Sequence, residues 1–76
     1  MKILEFDFAY YGPVLKSLRL DARMTQAQLA KKVNLTQGTI AAYEKSYQSP
    51  NMGRLMDICR ALGVDEVRIN TSRRTK

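Results

Sequence analysis

The chain has no histidine and only one cysteine among its 76 residues. Its seven carboxylates are scattered without a paired arrangement, so the side chains that acid-base or nucleophilic catalysis needs are largely missing. A single cysteine cannot close an internal disulfide, and we expect Met52, Met56 and Cys59 to pack in a core rather than to hold a metal. The composition therefore predicts no enzyme, no metal site and no cofactor.

Long apolar runs are lacking as well, since none approaches the roughly 20 residues that a membrane-spanning helix needs. Residues 1–5 lack the apolar stretch and cleavage site of a secretory signal, so we expect a protein of the reducing cytoplasm. A length of 76 residues permits one compact core, which predicts a single domain over residues 1–76.

Acidic residues are the scarcer charged type, with 7 against 13 basic residues and a net charge of +6. The excess is uneven, because residues 1–12 carry a net −1 and the remainder therefore carries +7. Such an excess on a small domain favours a polyanionic partner, chiefly nucleic acid, although many basic proteins bind none.

Strand patterns lie at both ends of the chain. Apolar and acidic residues alternate within residues 1–10, and a second alternation covers residues 66–70, so each segment predicts a short β-strand. Residues 71–76 are polar and basic enough to predict a disordered tail.

Residues 13–63 predict four helices from apolar residues at helical spacing. Pro13 suits the first turn of the first helix, and Thr25, Thr36 and Asn51 are candidate N-caps of the other three. The second and third helices are short, and only a tight turn joins them. Two such helices, set between a preceding and a following helix, form the arrangement in which the later one can enter the major groove of DNA.

Five segments then carry a family resemblance: TQAQLA (25–30), LTQGTI (35–40), YEK (43–45), SP (49–50) and ALGV (61–64). Through them the sequence from Leu18 to Val64, 47 of the 76 residues, resembles the phage-repressor (Cro/CI-like, XRE-like) family of helix-turn-helix DNA-binding domains. The resemblance implies a mainly α fold, a compact four-helix bundle of the lambda-repressor-like type, to which this chain adds its short terminal strands. Asn34 stands where the family usually has glycine, and asparagine is the next-best residue for positive φ.

The resemblance implies that the recognition helix starts at Thr36 and that its first turn lies nearest the base edges. Gln37 is the first candidate for reading a base, because a glutamine amide can bond both N6 and N7 of adenine. The alternative for these residues is an ordinary solvated helix face. The base-reading candidates are Thr36, Gln37, Gly38, Thr39 and Ala42.

A second group is implied to bind DNA phosphates. In the family a glutamine placed like Gln26 both binds a phosphate and braces the first glutamine of the recognition helix, here Gln37. The loop after the third helix and the start of the fourth, where the helix dipole favours an anion, supply the other contacts. Ser46 stands where the family often has glycine, which leaves the shape of this loop open. The phosphate-binding candidates are Gln26, Lys45, Tyr47, Gln48 and Asn51.

Two further roles are structural. Arg19 and Glu44 match positions that form a partly buried ion pair in the family. Family members commonly add a fifth helix for dimer contacts, whereas residues 65–70 predict a strand, and an isolated pair of strands is marginal alone. We therefore expect the terminal strands to form a homodimer, with an apolar face made by Phe6, Phe8, Val67 and Ile69.

The leading hypothesis is a dimeric, sequence-specific DNA-binding transcriptional regulator, a repressor of a prokaryote, a phage or a plasmid, which binds double-stranded DNA at the nucleoid. Two alternatives stay open. One is an antitoxin that regulates its own operon through the same domain and binds a toxin protein. The other is a protein-interaction module that has lost DNA binding, against which Gln26, Gln37 and the +7 of residues 13–76 argue.

Overall fold

Four helices follow one another between two short strands in the computed structural model, which describes residues 1–71. The predicted fold, mainly helical with a strand at each end, is confirmed. The tail predicted to be disordered lies outside the described residues, apart from Thr71. The elements are β1 (Ile3–Asp7), a 3-10 turn (Phe8–Tyr10), α1 (Tyr11–Asp21), α2 (Gln26–Lys32), α3 (Gln37–Glu44), α4 (Met52–Ala61) and β2 (Glu66–Asn70).

The apolar stripes of the helices meet in one core. α3 packs against α1 and α2, and α4 also packs against both. Ala30 and Ile40 are both buried where α2 and α3 meet, so extra bulk at Ala30 would force these two helices apart. The largest fully buried side chains are those of Leu15, Leu29, Ile40, Leu55, Ile58, Val64 and Cys59.

The one cysteine is part of this core. Burial raises the pKa of the Cys59 thiol to about 11, so the group stays protonated and packs as a small apolar side chain. Met56 is half-buried, but the core assignment of Met52 is wrong. Met52 is 45% exposed, because it is the first residue of α4 and lies at the rim of the bundle. No helix within residues 1–71 is long and apolar enough to cross a membrane.

The three predicted N-caps are confirmed. The side chains of Thr25, Thr36 and Asn51 each accept a hydrogen bond from the backbone N–H three residues later. At α2 the Gln28 side chain also accepts the backbone N–H of Thr25, which completes a capping box. These local contacts fix where each helix begins.

All four helices end in the same way, with a residue of positive φ and a backbone N–H that bonds a carbonyl five residues earlier. Glycine serves only at Gly63, with φ of 91°. The other three positions hold L residues, and a left-handed conformation costs such a residue roughly 1–2 kcal/mol. The residues of positive φ are Arg23, Asn34, Ser46 and Gly63.

The two strands pair with each other, in parallel, from Ile3 opposite Glu66 to Asp7 opposite Asn70. Parallel neighbours need a long crossover, and here the whole helical unit provides it. The inner face of the sheet packs against the core, whereas the outer face is mostly polar, with the Asn70 amide donating to Glu5 Oε2 at 3.2 Å. Ile3, 50% exposed, is the large apolar residue of this outer face. The inner face is formed by Leu4, Phe6, Val67 and Ile69.

Two of the residues expected on a dimer face have other positions. Phe8 lies in the 3-10 turn and not on a strand, because the Asp7 carboxylate accepts the N–H of Ala9 at 2.9 Å and turns the chain. Phe6 is already buried by its own chain. The expectation that Phe6 and Phe8 line an open apolar face is therefore wrong, and Val67 and Ile69 remain as half-buried residues of the sheet.

Candidate nucleic-acid interface

The first turn of α3 projects from the surface. Ile40 and Tyr43 anchor the helix in the core, while Thr36, Gln37 and Gly38 are exposed. The cap at Thr36 accepts the N–H of the residue three positions later at 3.2 Å, so the start of the helix is fixed. The Gln37 side chain makes no hydrogen bond with any other described residue. Its amide is thus free to bind another molecule.

Thr39 and Ala42, the other two base-reading candidates, are half-buried. The Thr39 hydroxyl lies 2.9 Å from the hydroxyl of Thr36 and shares a hydrogen bond with it. A hydroxyl has one donor and two lone pairs, so Thr39 can still make a further contact. The carbonyl of Ala42 accepts the N–H of Tyr47 at 2.8 Å and that of Gln48 at 3.3 Å, so its backbone holds the loop that follows α3.

Nothing in the packing of the chain requires a glycine at position 38. A Cβ there would have only the Thr36 hydroxyl within reach, at 4.0 Å. Because Gly38 is the second residue of α3, it weakens the helix by roughly 0.5–1 kcal/mol relative to alanine. A glycine at this exposed position beside Gln37 leaves space for another molecule to approach the backbone closely.

Gly38→Ala is therefore expected to raise Tm and to weaken binding to a specific DNA site. The gain in stability is about 0.5–1 kcal/mol, measured by thermal unfolding, and the loss of affinity is measured by fluorescence anisotropy. Gly53→Ala is the matched control for the gain in stability and for sequence discrimination, because Gly53 is the second residue of α4 and has only Asn51 Oδ1 nearby, at 3.5 Å. The contacts proposed at the start of α4 are to phosphates, so any loss of affinity there should be equal for all sequences. Unchanged discrimination between DNA sequences in Gly38→Ala would contradict close approach at this position.

Gln26, the first residue of α2, bonds a different partner from the one expected. Its Nε2 donates to Glu44 Oε1 at 3.0 Å, so the predicted pairing with Gln37 is wrong in the free protein. The reason is chemical: an ionised carboxylate is an acceptor only and forms a stronger bond than a neutral amide. Glu44 therefore fixes which end of the Gln26 amide faces α3, and the second N–H of Nε2 remains for another acceptor.

Arg19 and Glu44 form the expected pair. Arg19 Nε donates to Glu44 Oε2 at 2.6 Å and Nη2 donates to Oε1 at 3.1 Å, with the two residues 7% and 8% exposed. Arg19 Nη1 also donates to the carbonyl of Met24 at 2.8 Å. The pair thus joins α1 to the end of α3 and, through Gln26, to the start of α2. Within residues 1–71 no buried polar side-chain atom lacks a hydrogen-bond partner.

The loop between α3 and α4 presents exposed polar side chains on a fixed backbone. Lys45, Tyr47 and Gln48 are all exposed. Ser46 takes the left-handed conformation with φ of 63°, so serine serves where the family often has glycine. The Asn51 side chain accepts the N–H of Arg54 at 2.8 Å in its predicted capping role, and the phosphate contact expected at the amides around it stays a prediction. This cap fixes α4, whose first amides remain free for an anion.

Two residues near this loop were not predicted from the sequence to belong to the site. Arg54 is an exposed cation in the first turn of α4, where the helix dipole disfavours positive charge. That mismatch is a sequence signal for a phosphate contact. Tyr11 donates its hydroxyl to the backbone carbonyl of Gln48 at 2.6 Å, across 37 positions of the chain, and no local pattern announces it.

α2 and α3 are joined by a tight turn, α3 has an exposed first turn, and a polar loop that begins with Lys45 follows it. Together these features are typical of a helix-turn-helix DNA-binding unit. A profile of the family described as "Helix-turn-helix" matches residues 15–69. The chain belongs to this family, in its XRE-like group.

Two known proteins are similar to the chain. It is 34% identical over 53 residues to the immunity repressor protein of Bacillus phage phi105, and the match covers 70% of this chain and 37% of that relative. The chain thus spans little more than a third of the relative's length. The wild-type restriction-modification controller protein C.Esp1396I has a similar crystal structure, with a TM-score of 0.70, 31% identity and 76% of each chain covered. The chain thus contains an XRE-like helix-turn-helix DNA-binding domain.

Proposed function

We propose that the chain is a homodimeric transcriptional repressor that reads a specific DNA sequence with the first turn of α3. The observation that carries this proposal is the free, exposed amide of Gln37 at the tip of a helix whose other face is buried. Such an amide can donate to N7 and accept from N6 of one adenine in the major groove. Gly38 beside it lets the backbone approach the bases.

Phosphate contacts on both sides of α3 hold that helix in the groove. On one side, the second N–H of the Gln26 amide donates to a phosphate of the DNA backbone. On the other, Lys45 and Arg54 supply charge, and the free amides at the start of α4 supply donors. The +7 carried by residues 13–76 provides the long-range attraction that such contacts need.

The roles of repressor and dimer rest on separate observations. The phage relative is named a repressor, which supports the direction of regulation. Within residues 1–71 the two-stranded sheet has unpaired edges, which a second copy of the chain can cover. A two-fold dimer carries two recognition helices, so its site in the cell's cytoplasmic DNA is palindromic or nearly so, with half-sites about 10 bp apart.

Gln37→Ala and Lys45→Ala are expected to weaken DNA binding in different ways. The first removes a base contact, so it lowers specific affinity by about 1–3 kcal/mol and relaxes the preference at one base pair. The second removes a phosphate contact, so it weakens all sequences alike and lowers the slope of log K against log salt by about one. Both side chains are exposed, so Tm should stay close to wild type.

The measurement starts with selection of a site from random duplexes, followed by anisotropy titrations at several salt concentrations against that site and its single-base-pair variants. Wild-type protein that enriches no sequence contradicts sequence-specific binding. Two variants that lose affinity equally on every duplex would show that base and phosphate contacts have been assigned to the wrong residues.

A further inference from the structure

We propose that Tyr11 is a positioning residue for DNA binding, which holds the loop between α3 and α4 in the shape that its phosphate contacts require. This inference rests on the proposed function, because it assumes that the loop lies against DNA. Tyr11 itself need not touch DNA. It acts through the backbone of Gln48, whose carbonyl accepts its hydroxyl at 2.6 Å.

The bond is set by a buried ring. Tyr11 is the first residue of α1 and only 8% exposed, and its hydroxyl reaches the loop at the Gln48 carbonyl. The ring also packs near Phe8, with 5.2 Å between the ring centroids. A rigid donor of this kind fixes its acceptor at little entropic cost, because the tyrosine side chain has few rotatable bonds.

Both backbone polar groups of Gln48 are thereby hydrogen-bonded. Its N–H bonds the carbonyl of Ala42 at 3.3 Å, and its C=O accepts the hydroxyl of Tyr11. No other side chain within residues 1–71 bonds the backbone of residues 47–50. The loop is exposed from Lys45 to Ser49, so between the N–H bonds to Ala42 and the buried Pro50 the Tyr11 hydroxyl is its side-chain anchor.

Tyr11 can reach the loop because the backbones of α1 and α3 approach each other closely at Gly12. A Cβ on Gly12 would lie 2.8 Å from the carbonyl oxygen of Glu44, 2.9 Å from that of Tyr43 and 2.7 Å from the hydroxyl of Ser46. Only glycine fits there, because two of the three neighbours are backbone atoms. The start of α1 therefore lies directly on the end of α3.

This contact comes from outside the part of the chain that the family profile matches, which begins at residue 15. Tyr11 and Gly12 belong to the segment that also contains β1, and β1 is paired with β2. The segment that contains β1 thus contacts the loop between α3 and α4. Ordering the loop before binding removes an entropic cost that the complex would otherwise carry.

Tyr11→Phe is expected to lower affinity for the selected site about 3- to 10-fold, the range that one lost hydrogen bond produces, with a fall in Tm of only a few degrees. The buried ring stays, and the freed Gln48 carbonyl can bond water. Hydrogen exchange in the free protein should speed up at the amides of residues 47–51 and nowhere else. Tyr10→Phe is the matched control, because Tyr10 is exposed and its hydroxyl bonds no other described residue.

A double-mutant cycle separates a positioning role from general destabilisation. Tyr11→Phe should lose most of its effect on affinity in a Lys45→Ala, Tyr47→Ala background, where the loop has fewer contacts to align. In a Gln37→Ala background its effect should persist in full, because the base contact lies on α3 and not on the loop.

The possible results distinguish the proposed function from the positioning role of Tyr11. Wild-type protein that binds no selected duplex overturns the proposed function itself. Wild-type binding with Tyr11→Phe no weaker than Tyr10→Phe overturns the positioning role alone. Equal losses in both variant backgrounds, or faster exchange throughout the protein, also overturn it, because they indicate a fault in stability and not in the loop.

Discussion

Glu44→Leu is expected to lower the free energy of unfolding by about 3–5 kcal/mol, because it leaves the guanidinium of Arg19 buried without its carboxylate. Arg19 is 7% exposed, so water cannot replace the lost partner unless α1 and α3 move apart. A small domain has only about 5–15 kcal/mol of stability in total. The variant should therefore unfold at a much lower urea concentration, with Tm falling by ~4–8 °C for each kcal/mol lost.

The double variant Arg19→Met, Glu44→Leu is the matched control. It removes both charges and keeps apolar volume, a change that is often neutral or stabilising for a buried pair. We expect it to lie within about 1–2 kcal/mol of wild type, since the Met24 carbonyl loses a donor. A double variant as unstable as Glu44→Leu would contradict this account, because the loss could not then come from an uncompensated charge.

The same double variant tests whether the pair also serves DNA binding. Gln26 loses the carboxylate that orients its amide, at Glu44 Oε1, and must find its orientation during binding. Affinity for DNA should therefore stay below wild type even where stability is restored. Full recovery of both properties would show that the ion pair acts on the scaffold alone.

The helices could be predicted because their signals are local. Thr25, Thr36 and Asn51 each cap the helix that follows them, within three residues of the bond they accept. The helix ends were harder to predict, because only two of the four positive-φ positions hold a residue that favours this conformation, Asn34 and Gly63. Arg23 and Ser46 adopt it against their local preference, and each is followed by a residue whose N–H bonds a carbonyl five residues earlier.

The contacts that complete the site could not be predicted from local sequence. Gln26 bonds Glu44 across 18 positions and Tyr11 bonds Gln48 across 37. Such pairs depend on how whole helices pack, which periodicity does not specify. The sheet shows the same limit. Alternation predicted both strands but not which strand each one pairs with or in which direction. Phe8 also continued the alternation one residue past the end of β1.

The sheet carries the second large prediction, which follows from the proposed dimer. Two five-residue strands in parallel leave one unpaired edge on each, and natural proteins rarely leave such edges open. Pairing across a two-fold axis would extend the sheet and cover the half-buried Val67 and Ile69. Because the outer face is mostly polar, we expect the contact to run along a strand edge and not across that face.

Val67→Lys should therefore convert the dimer to a monomer and lower affinity for the full site by about 10²- to 10⁴-fold, the usual advantage of joining two binding units. A lysine can keep its stem against the core while its charge opposes strand pairing, so the helical fold should persist. Ile3→Lys on β1 is the second variant, at a residue that is already exposed. Leu20→Lys, at an exposed apolar residue of α1, is the matched control and should remain dimeric.

Sedimentation equilibrium and footprinting decide the outcome together. Wild-type protein should protect two half-sites about 10 bp apart, whereas the Val67→Lys monomer should protect one half-site weakly and only at low salt. A monomer that keeps its helical circular dichroism and this weak binding separates the dimer element from the DNA-binding unit. If both strand variants stay folded and dimeric while Leu20→Lys dissociates, the interface lies on the helices, and the strands serve only to fix the segment that contains Tyr11.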